Sequence, residues 1–275
     1  MKRIYDWGAR PALRKLTVAD LIAAKGKETF CQVTADTADE AAAAEASGCE
    51  MLICRARNVA EVRRGSAHVF VTAALGFADN ISDDEILRAA IGALTTGADA
   101  VITSRGPAVV EMLAKEDIPV MGHLGLVPRK STWVGSMRAF GKTADEAFEL
   151  YRRFKRLEDA GGFAVEAELI PAPVMAELTK RSGLVTVSLG SGRHADVLFL
   201  FMADICGETD SRPRHARAYG DLAGLYRQVR EERVRALTAF RQDIASGSFP
   251  SEGEVAALDP NELESFRERL TKADR

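Results

Sequence analysis

Three side chains in this chain have the types and spacing to move protons. Glu166 and Glu168 stand two residues apart in Phe163-Ala164-Val165-Glu166-Ala167-Glu168-Leu169-Ile170-Pro171. Period-two alternation therefore puts both carboxylates on one face of a strand. If that face is a barrel interior, two ionised carboxylates are costly to bury, and poor solvation raises a carboxylate pKa toward the range that suits a general base. His123 sits in Met121-Gly122-His123-Leu124-Gly125-Leu126, an apolar run punctuated by glycine. There it can donate a hydrogen bond to a carbonyl or enolate oxygen. Each has a plainer reading: His123 as a satisfied core histidine, the two glutamates as members of buried salt bridges. Gly190-Ser191-Gly192 lets backbone amides approach a small anion, though such a triplet is equally a simple turn.

The elements that must carry these groups alternate between β-rich and helical. Strands are predicted near 30–35, 50–55, 68–73, 100–104, 118–123, 163–169, 184–189 and 197–201. Most are nearly continuous apolar runs, as parallel strands buried on both faces are. Helix starts are marked by capping-box spacing at Thr37/Glu40, Ser82/Glu85 and Thr143/Glu146. The helix from Thr143 puts Ala147, Phe148, Leu150, Tyr151, Phe154 and Leu157 on one side and stops at Gly161-Gly162. Eight such strands favour a closed (β/α)₈ barrel, with an irregular last unit because too few residues separate 184–189 from 197–201. The expected organisation is one domain over 1–275, with an N-terminal extension over 1–16 and an extra C-terminal helix over 254–275. That helix has Asp259 as cap and Pro260 in its first turn. In a barrel, groups at the C-terminal ends of strands face the mouth. The rule selects Asp36, Arg55, Ala73, Ser104, His123, Glu168 and the 190–192 loop.

Composition removes several function classes. A net charge of -3 and a pI near 5.9 argue against an overall attraction to nucleic acid or acidic membranes. The basic stretch Arg227 to Arg241 interleaves Glu231 and Glu232 and reads as a solvated helix face. There is no apolar leader and no run of 18 apolar residues, so a cytoplasmic protein is expected. Cys31, Cys49, Cys54 and Cys206 form no CxxC pair and are expected as buried, reduced thiols.

Together these residues resemble the ketopantoate hydroxymethyltransferase family. Gly122-His123-Leu124-Gly125-Leu126-Val127-Pro128, with Gly135 and Gly141-Lys142, is similar to its GHLGLTP…GG…G(R/K) segment. Leu157-Glu158-Asp159-Ala160-Gly161 comes next in order, followed by Ala167-Glu168-Leu169-Ile170-Pro171 against LECVP. Ser188-Leu189-Gly190-Ser191-Gly192 then stands against GIGAG, and Met202-Ala203-Asp204 against MHD. Ala245 to Pro250 resembles a VxSGxYP-like close, and Val33-Thr34-Ala35-Asp36 the early TAYD. The resemblance runs from about Thr17 to Glu252. It implies a (β/α)₈ barrel related to phosphoenolpyruvate mutase and isocitrate lyase, assembled as a homo-oligomer. It also implies chemistry in which Mg²⁺ and a 2-oxoacid give an enolate that accepts a hydroxymethyl group from methylenetetrahydrofolate. His123 falls on the family's active-site histidine and Glu168 on the glutamate assigned as base.

The departures concern the metal. The family's GDS reads Cys54-Arg55-Ala56 here, its second metal aspartate is expected at Ala73, and its KIEGG reads Ile102-Thr103-Ser104-Arg105-Gly106. With Arg55, Ala73 and Ser104 at the ligand positions, no Mg²⁺ is expected, and nothing in the chain speaks for methylenetetrahydrofolate. Two readings of Arg55 stay open. It supplies the positive charge that the ion supplies elsewhere, with Arg105 or Arg57, or it pairs with Glu166 or Glu168 and plugs the old site. The expected function is enolate-forming carbon–carbon chemistry on a small 2-oxoacid or other carboxylate. Glu168 and His123 are its catalytic groups, and Arg55, Ser104, Arg105, Asp36 and Ser191 touch substrate. The alternatives are a catalytically silent metabolite-binding homologue and a lyase of the phosphoenolpyruvate mutase/isocitrate lyase type.

Overall fold

The computed structural model describes residues 1–76 and 78–273; Asp274 and Arg275, the end of the expected C-terminal helix, lie outside them. The strands are β1 (Lys2–Tyr5), β2 (Pro11–Arg14), β3 (Phe30–Thr34), β4 (Met51–Arg55), β5 (Phe70–Ala74), β6 (Ala100–Ile102), β7 (Val120–Gly125), β8 (Ala164–Glu168), β9 (Val185–Leu189) and β10 (Val197–Leu200). The helices are α1 (Val18–Ala24), α2 (Ala38–Ser47), α3 (Val59–Gly65), α4 (Asp83–Thr96), α5 (Pro107–Lys115), α6 (Ser131–Val134), α7 (Ala144–Asp159), α8 (Ala172–Arg181), α9 (Met202–Cys206), α10 (Leu222–Ser246) and α11 (Pro260–Ala273). Strands β3 to β10 close a parallel barrel in the order β10-β3-β4-β5-β6-β7-β8-β9, the α/β architecture expected from the apolar runs.

The pleat divides the barrel side chains into two sets. Phe30, Met51, Ile53, Phe70, Ile102, Met121, Ala164, Val187 and Phe199 fill the interior. Their alternates, among them Val33, Leu52, Val71, Val101, Val120 and Val165, pack outward against helix residues such as Val62, Ile86, Leu94, Leu113 and Phe154. Strands with an apolar partner on both faces must read as unbroken hydrophobic runs, which is why they were legible. The capping boxes at Thr37/Glu40 and Ser82/Glu85 are complete. Thr143 caps α7 from one side only, because the Glu146 carboxylate turns to the Gly141 and Lys142 amides and to Arg138. On α7, Leu150, Phe154 and Leu157 are buried, whereas Phe148 is exposed under Arg152 and against Tyr151. The link from β9 to β10 holds no helix, and α9 is only 5 residues long.

The N-terminal extension is an antiparallel β1–β2 hairpin, pairing Lys2 with Arg14 and Tyr5 with Pro11. Its anchor is electrostatic. Buried Arg14 donates to Asp99 Oδ1 at 2.7 Å, while Arg63 from α3 donates to Asp99 Oδ2 at 2.5 Å and the Val71 amide donates to the same oxygen at 2.8 Å. One carboxylate thus joins the hairpin, α3, β5 and the start of β6. The residues sort into two compact units, Met1–Gly220 and Asp221–Arg275. The first holds the hairpin and barrel. The second holds α10, with Asp221 capping through the Gly224 amide, and α11; Phe240 and Phe249 meet edge-on at 5.1 Å. The basic residues Arg227 to Arg241 lie on α10 and are exposed. No described helix is long and apolar enough to cross a membrane.

The cysteines depart from expectation: only Cys54 is buried, Cys49 and Cys206 are half-buried, and Cys31 is exposed. Cys31 takes an outward position on β3, where the groove shared with β10 is left open to solvent.

Removing the Asp99 carboxylate leaves two buried guanidinium groups without their anion, a loss worth about 3–5 kcal/mol. Asp99→Ala should therefore lower the unfolding free energy, read by urea denaturation, by that amount. Lys2→Ala, which breaks a pair with Asp20 on a half-exposed lysine, should cost no more than about 1 kcal/mol.

Candidate active site

Adjacent strands β7 and β8 build the site. Their register pairs His123 with Glu166 and Gly125 with Glu168, so His123 lies beside one carboxylate and one pleat below the other. All three side chains point into the barrel, on the alternates shared with Met121 and Ala164. His123 Nε2 lies 3.0 Å from Glu168 Oε2 and 3.6 Å from Glu166 Oε1. Glu166 is buried, and its Oε2 has no protein partner.

The strand end that presents Glu168 is locally strained. Leu169 holds a φ of 49°, a left-handed conformation that costs a non-glycine residue about 1–3 kcal/mol. Four hydrogen bonds enforce it. The Leu169 amide donates to Leu189 O at 2.9 Å, and Leu169 O accepts from the Phe140 amide at 3.2 Å. The buried Ser191 hydroxyl accepts from the Ile170 amide at 2.8 Å and donates to Ala167 O at 2.7 Å. On the neighbouring strand, Gly125 has a φ of 88°, and a Cβ there would sit 2.2 Å from Glu168 O. Only glycine lets β7 pass the Glu168 backbone this closely.

Electrostatics bind the three groups into one unit. Burial pushes the His123 pKa down, but the hydrogen bond to Glu168 and the charges of Glu166 and Glu168 outweigh it and hold the imidazole above its ordinary range. Burial pushes the Glu166 carboxyl up; His123 opposes the shift and Glu168 adds to it. The neighbouring carboxyl groups thus favour a proton on His123, and burial favours one on Glu166.

The other expected site residues are dispersed. Asp36 Oδ1 accepts from the Arg55 amide at 3.0 Å and from Asn58 Nδ2 at 2.8 Å, and its Oδ2 lies 3.2 Å from Arg55 Nη1. The Arg55 side chain is 63% exposed and its ion pair is with Asp36, not with Glu166 or Glu168. It lines a cavity of about 870 Å³ with Arg57, Ala74, Asp79 and Asn80. His123 borders a different one, about 320 Å³, with Arg105, Lys130, Arg153 and Arg156. Ser104 offers its carbonyl to Arg129, and Arg105 donates to Asn80 O. The position given to the family's second metal aspartate needs correction: Ala73 packs outward in the barrel–helix layer, and the inward residue at that strand end is Ala74. A one-residue shift flips the face. The sequence placed Glu166 beside Glu168 but gave it no role of its own, and it left unread the cations near His123, Lys130 and the Glu149-paired Arg153 and Arg156. Alternation had put Glu166 beside Glu168, and the i, i+3 spacing of Arg153 and Arg156 on α7 was visible too.

With this geometry in hand, relatives are informative. The family model described as ketopantoate hydroxymethyltransferase matches residues 55–252. The chain belongs to that family. The 3-methyl-2-oxobutanoate hydroxymethyltransferase of Ignicoccus hospitalis is 34% identical over 200 residues, covering 71% of this chain and 73% of the relative. That of Hyperthermus butylicus is 29% identical over 285 residues, covering 94% and 96%. The fold also matches a phosphoenolpyruvate phosphomutase from Streptomyces platensis at 14% identity and a TM-score of 0.50, over 94% of this chain and all of that one. Within the family this member is divergent.

The Mg²⁺ that the resemblance implies can be tested against these residues. Its three strand-end positions present a guanidinium (Arg55), a methyl group (Ala74) and a hydroxyl (Ser104). Magnesium demands near-octahedral oxygen ligands with at least one or two carboxylates, and each unit of cation charge about 4 Å from the guanidinium costs roughly 4 kcal/mol at an effective dielectric of 20. These residues do not fit the ion. Among the described residues, one group of three could hold a metal: His123, Glu166 and Glu168, with ligand atoms within 4.8 Å of one another. One imidazole and two carboxylates suit Mn²⁺, Fe²⁺ or Zn²⁺ better than Mg²⁺.

The proton balance is measurable. Because its folded pKa is raised, His123 contributes stability that is complete below about pH 6.5, its ordinary value, and is lost as pH rises through the elevated one. The His123 ring resonances should titrate above the ordinary histidine range by NMR. In Glu168→Gln, with the neighbouring anion gone, the midpoint should move down.

Proposed function

We propose that this chain makes or breaks a carbon–carbon bond next to the carbonyl of a small 2-oxoacid, through an enolate, without a metal ion at the family's ligand positions. The observation that carries this reading is the 3.0 Å contact between His123 and Glu168 at the mouth end of β7 and β8. Glu168 takes a proton from C3, the C–H electron pair becomes the C2–C3 double bond, and the carbonyl pair moves onto oxygen. Once Glu168 is protonated it no longer holds the imidazolium, whose Nε2–H turns to the new oxyanion. The enolate carbon then attacks an electrophilic carbon in the synthetic direction, or takes a proton in the reverse direction after the bond breaks. Ketopantoate formation is the nearest named activity.

Arg55 takes the role of a cation at the rim, gripping the substrate carboxylate with the part of its guanidinium not held by Asp36. In this reading Asp36 orients Arg55, Ser104 and Arg105 follow β6 on the way to the cavity that His123 borders, and Ser191 acts by shaping the Glu168 strand end. The competing reading, a homologue that binds a metabolite without turning it over, draws support from Ile102, Ser104 and Ala74, none of which can replace the lost charged groups. Against it stand Glu166 and Glu168, since a pocket without chemistry has no use for two carboxylates on its floor.

The test is deuterium exchange at C3 of pyruvate, 2-oxobutanoate and 3-methyl-2-oxobutanoate, followed by proton NMR in D₂O with EDTA. Exchange should persist in EDTA, fall by at least about 100-fold in Glu168→Gln, and in Arg55→Ala show a higher KM with a smaller change in kcat. Exchange seen only with an added divalent ion overturns the metal-free mechanism. Absence of exchange with every acid, with or without Mn²⁺ or Mg²⁺, leaves the binding homologue.

A further inference from the structure

The outer wall of the barrel carries a second reactive group, independent of the His123 site. Cys31 on β3 and Cys49, just before β4, come together with Sγ atoms 3.6 Å apart, although 18 residues separate them in sequence. The two sulfurs share a hydrogen bond in which either can donate. Both open onto a groove of about 550 Å³ lined also by Val33, Leu198, Met202 and Cys206. The groove lies between α2, which follows β3, and the short helix α9, which follows β10.

The two thiols differ in character, and the surroundings explain why. The hydrogen bond shared with Cys31 and one that the Ser47 hydroxyl donates at 3.4 Å favour the Cys49 thiolate, and Lys15 adds a positive charge. These outweigh partial burial and the nearby Glu50 carboxylate and bring its pKa down to about 6. Where Cys49 is ionised Cys31 is the donor; that contact, burial and Glu50 all push the Cys31 thiol up. The other two thiols go the opposite way from Cys49: burial pushes Cys54 up to about 12, and Cys206 is raised by burial and by Glu208 and Glu40. A thiolate, not a thiol, is the nucleophile in cysteine oxidation.

We propose that Cys31 and Cys49 form a reversible dithiol–disulfide pair that hydrogen peroxide oxidises. The Cys49 thiolate attacks one peroxide oxygen, the O–O bond breaks, and Cys49 becomes a sulfenic acid as hydroxide leaves. The Cys31 sulfur then attacks the Cys49 sulfur, its proton passes to the departing hydroxyl, and water leaves. In sum, two thiols and one peroxide give one disulfide and two waters, and a thiol reductant returns the pair by exchange. The bond ties β3 to the α2–β4 connection on the outside of the wall.

The experiment treats the full-length reduced protein with hydrogen peroxide, alkylates the remaining thiols, and maps peptides by mass. The intact mass should fall by two hydrogens, with a single crosslinked peptide joining Cys31 to Cys49, and dithiothreitol should reverse both changes. Cys54 and Cys206 should remain alkylatable. In Cys31→Ser, Cys49 should stop at the sulfenic acid and be trapped by dimedone; in Cys49→Ser, Cys31 should stay a free thiol. The proposal is overturned if no crosslink forms under conditions that oxidise Cys49, if Cys206 is the partner, or if dimedone labels all four cysteines alike in the wild type. None of these outcomes depends on C3 exchange, so the pair and the enolate chemistry stand or fall separately.

Discussion

Three ionisable groups share one space inside the barrel, and much of the surrounding backbone is organised by that fact. Two carboxylates this close cannot both be ionised in a poorly solvated site unless a cation intervenes. His123 stands between them, 3.0 Å from one and 3.6 Å from the other, and burial draws a proton onto Glu166. The arrangement requires β7 and β8 to pass with almost no side-chain volume between them at the mouth, which Gly125 permits. It also requires the chain to turn sharply after Glu168, which the left-handed Leu169 accomplishes and Ser191 secures from the next strand. A few kcal/mol of strain and desolvation sit where chemistry would use them, as strain in proteins commonly does.

The remainder of the Met1–Gly220 unit is a conventional barrel with an N-terminal hairpin. Outward apolar residues meet the helices, inward ones fill the lumen, and Asp99 gathers Arg14 and Arg63 into a buried junction under the wall. Against that background the strand ends of the barrel differ in kind. On β7 and β8, His123 and Glu168 meet, with Glu166 buried beside them. On β4 to β6, the positions where the resemblance implies metal-ligand acids are Arg55, Ala74 and Ser104. A fixed guanidinium differs from a metal ion in reach and in number of contacts. It offers a planar fork to one carboxylate and cannot draw a carbonyl and a carboxylate into one coordination sphere. Substrates acceptable to the two sites therefore need not be the same.

The outer wall gives its cysteines different surroundings. Cys54, outward on β4, is buried, and burial pushes its pKa up. In the groove between α2 and α9 two thiols meet within reach of water, Ser47 and Lys15.

What the residue order determined by itself was whatever depends on local periodicity. Buried parallel strands must be apolar on both faces, so all eight barrel strands were legible to within two residues at most ends; Thr37, Ser82 and Asp259 marked helix starts because caps act within one turn; and the i, i+2 spacing of Glu166 and Glu168 set them on one face. The tertiary structure alone decided the matters that turn on distance and facing. It showed that Ala74 rather than Ala73 looks inward, that Arg55 pairs with Asp36 across 19 residues instead of with the glutamates, that Glu166 is buried with an oxygen left unpaired, and that Cys31 is exposed. A strand's pattern is unchanged when its two faces are exchanged. A charged side chain's partner is chosen among groups brought near by closure of the barrel, which no local rule encodes.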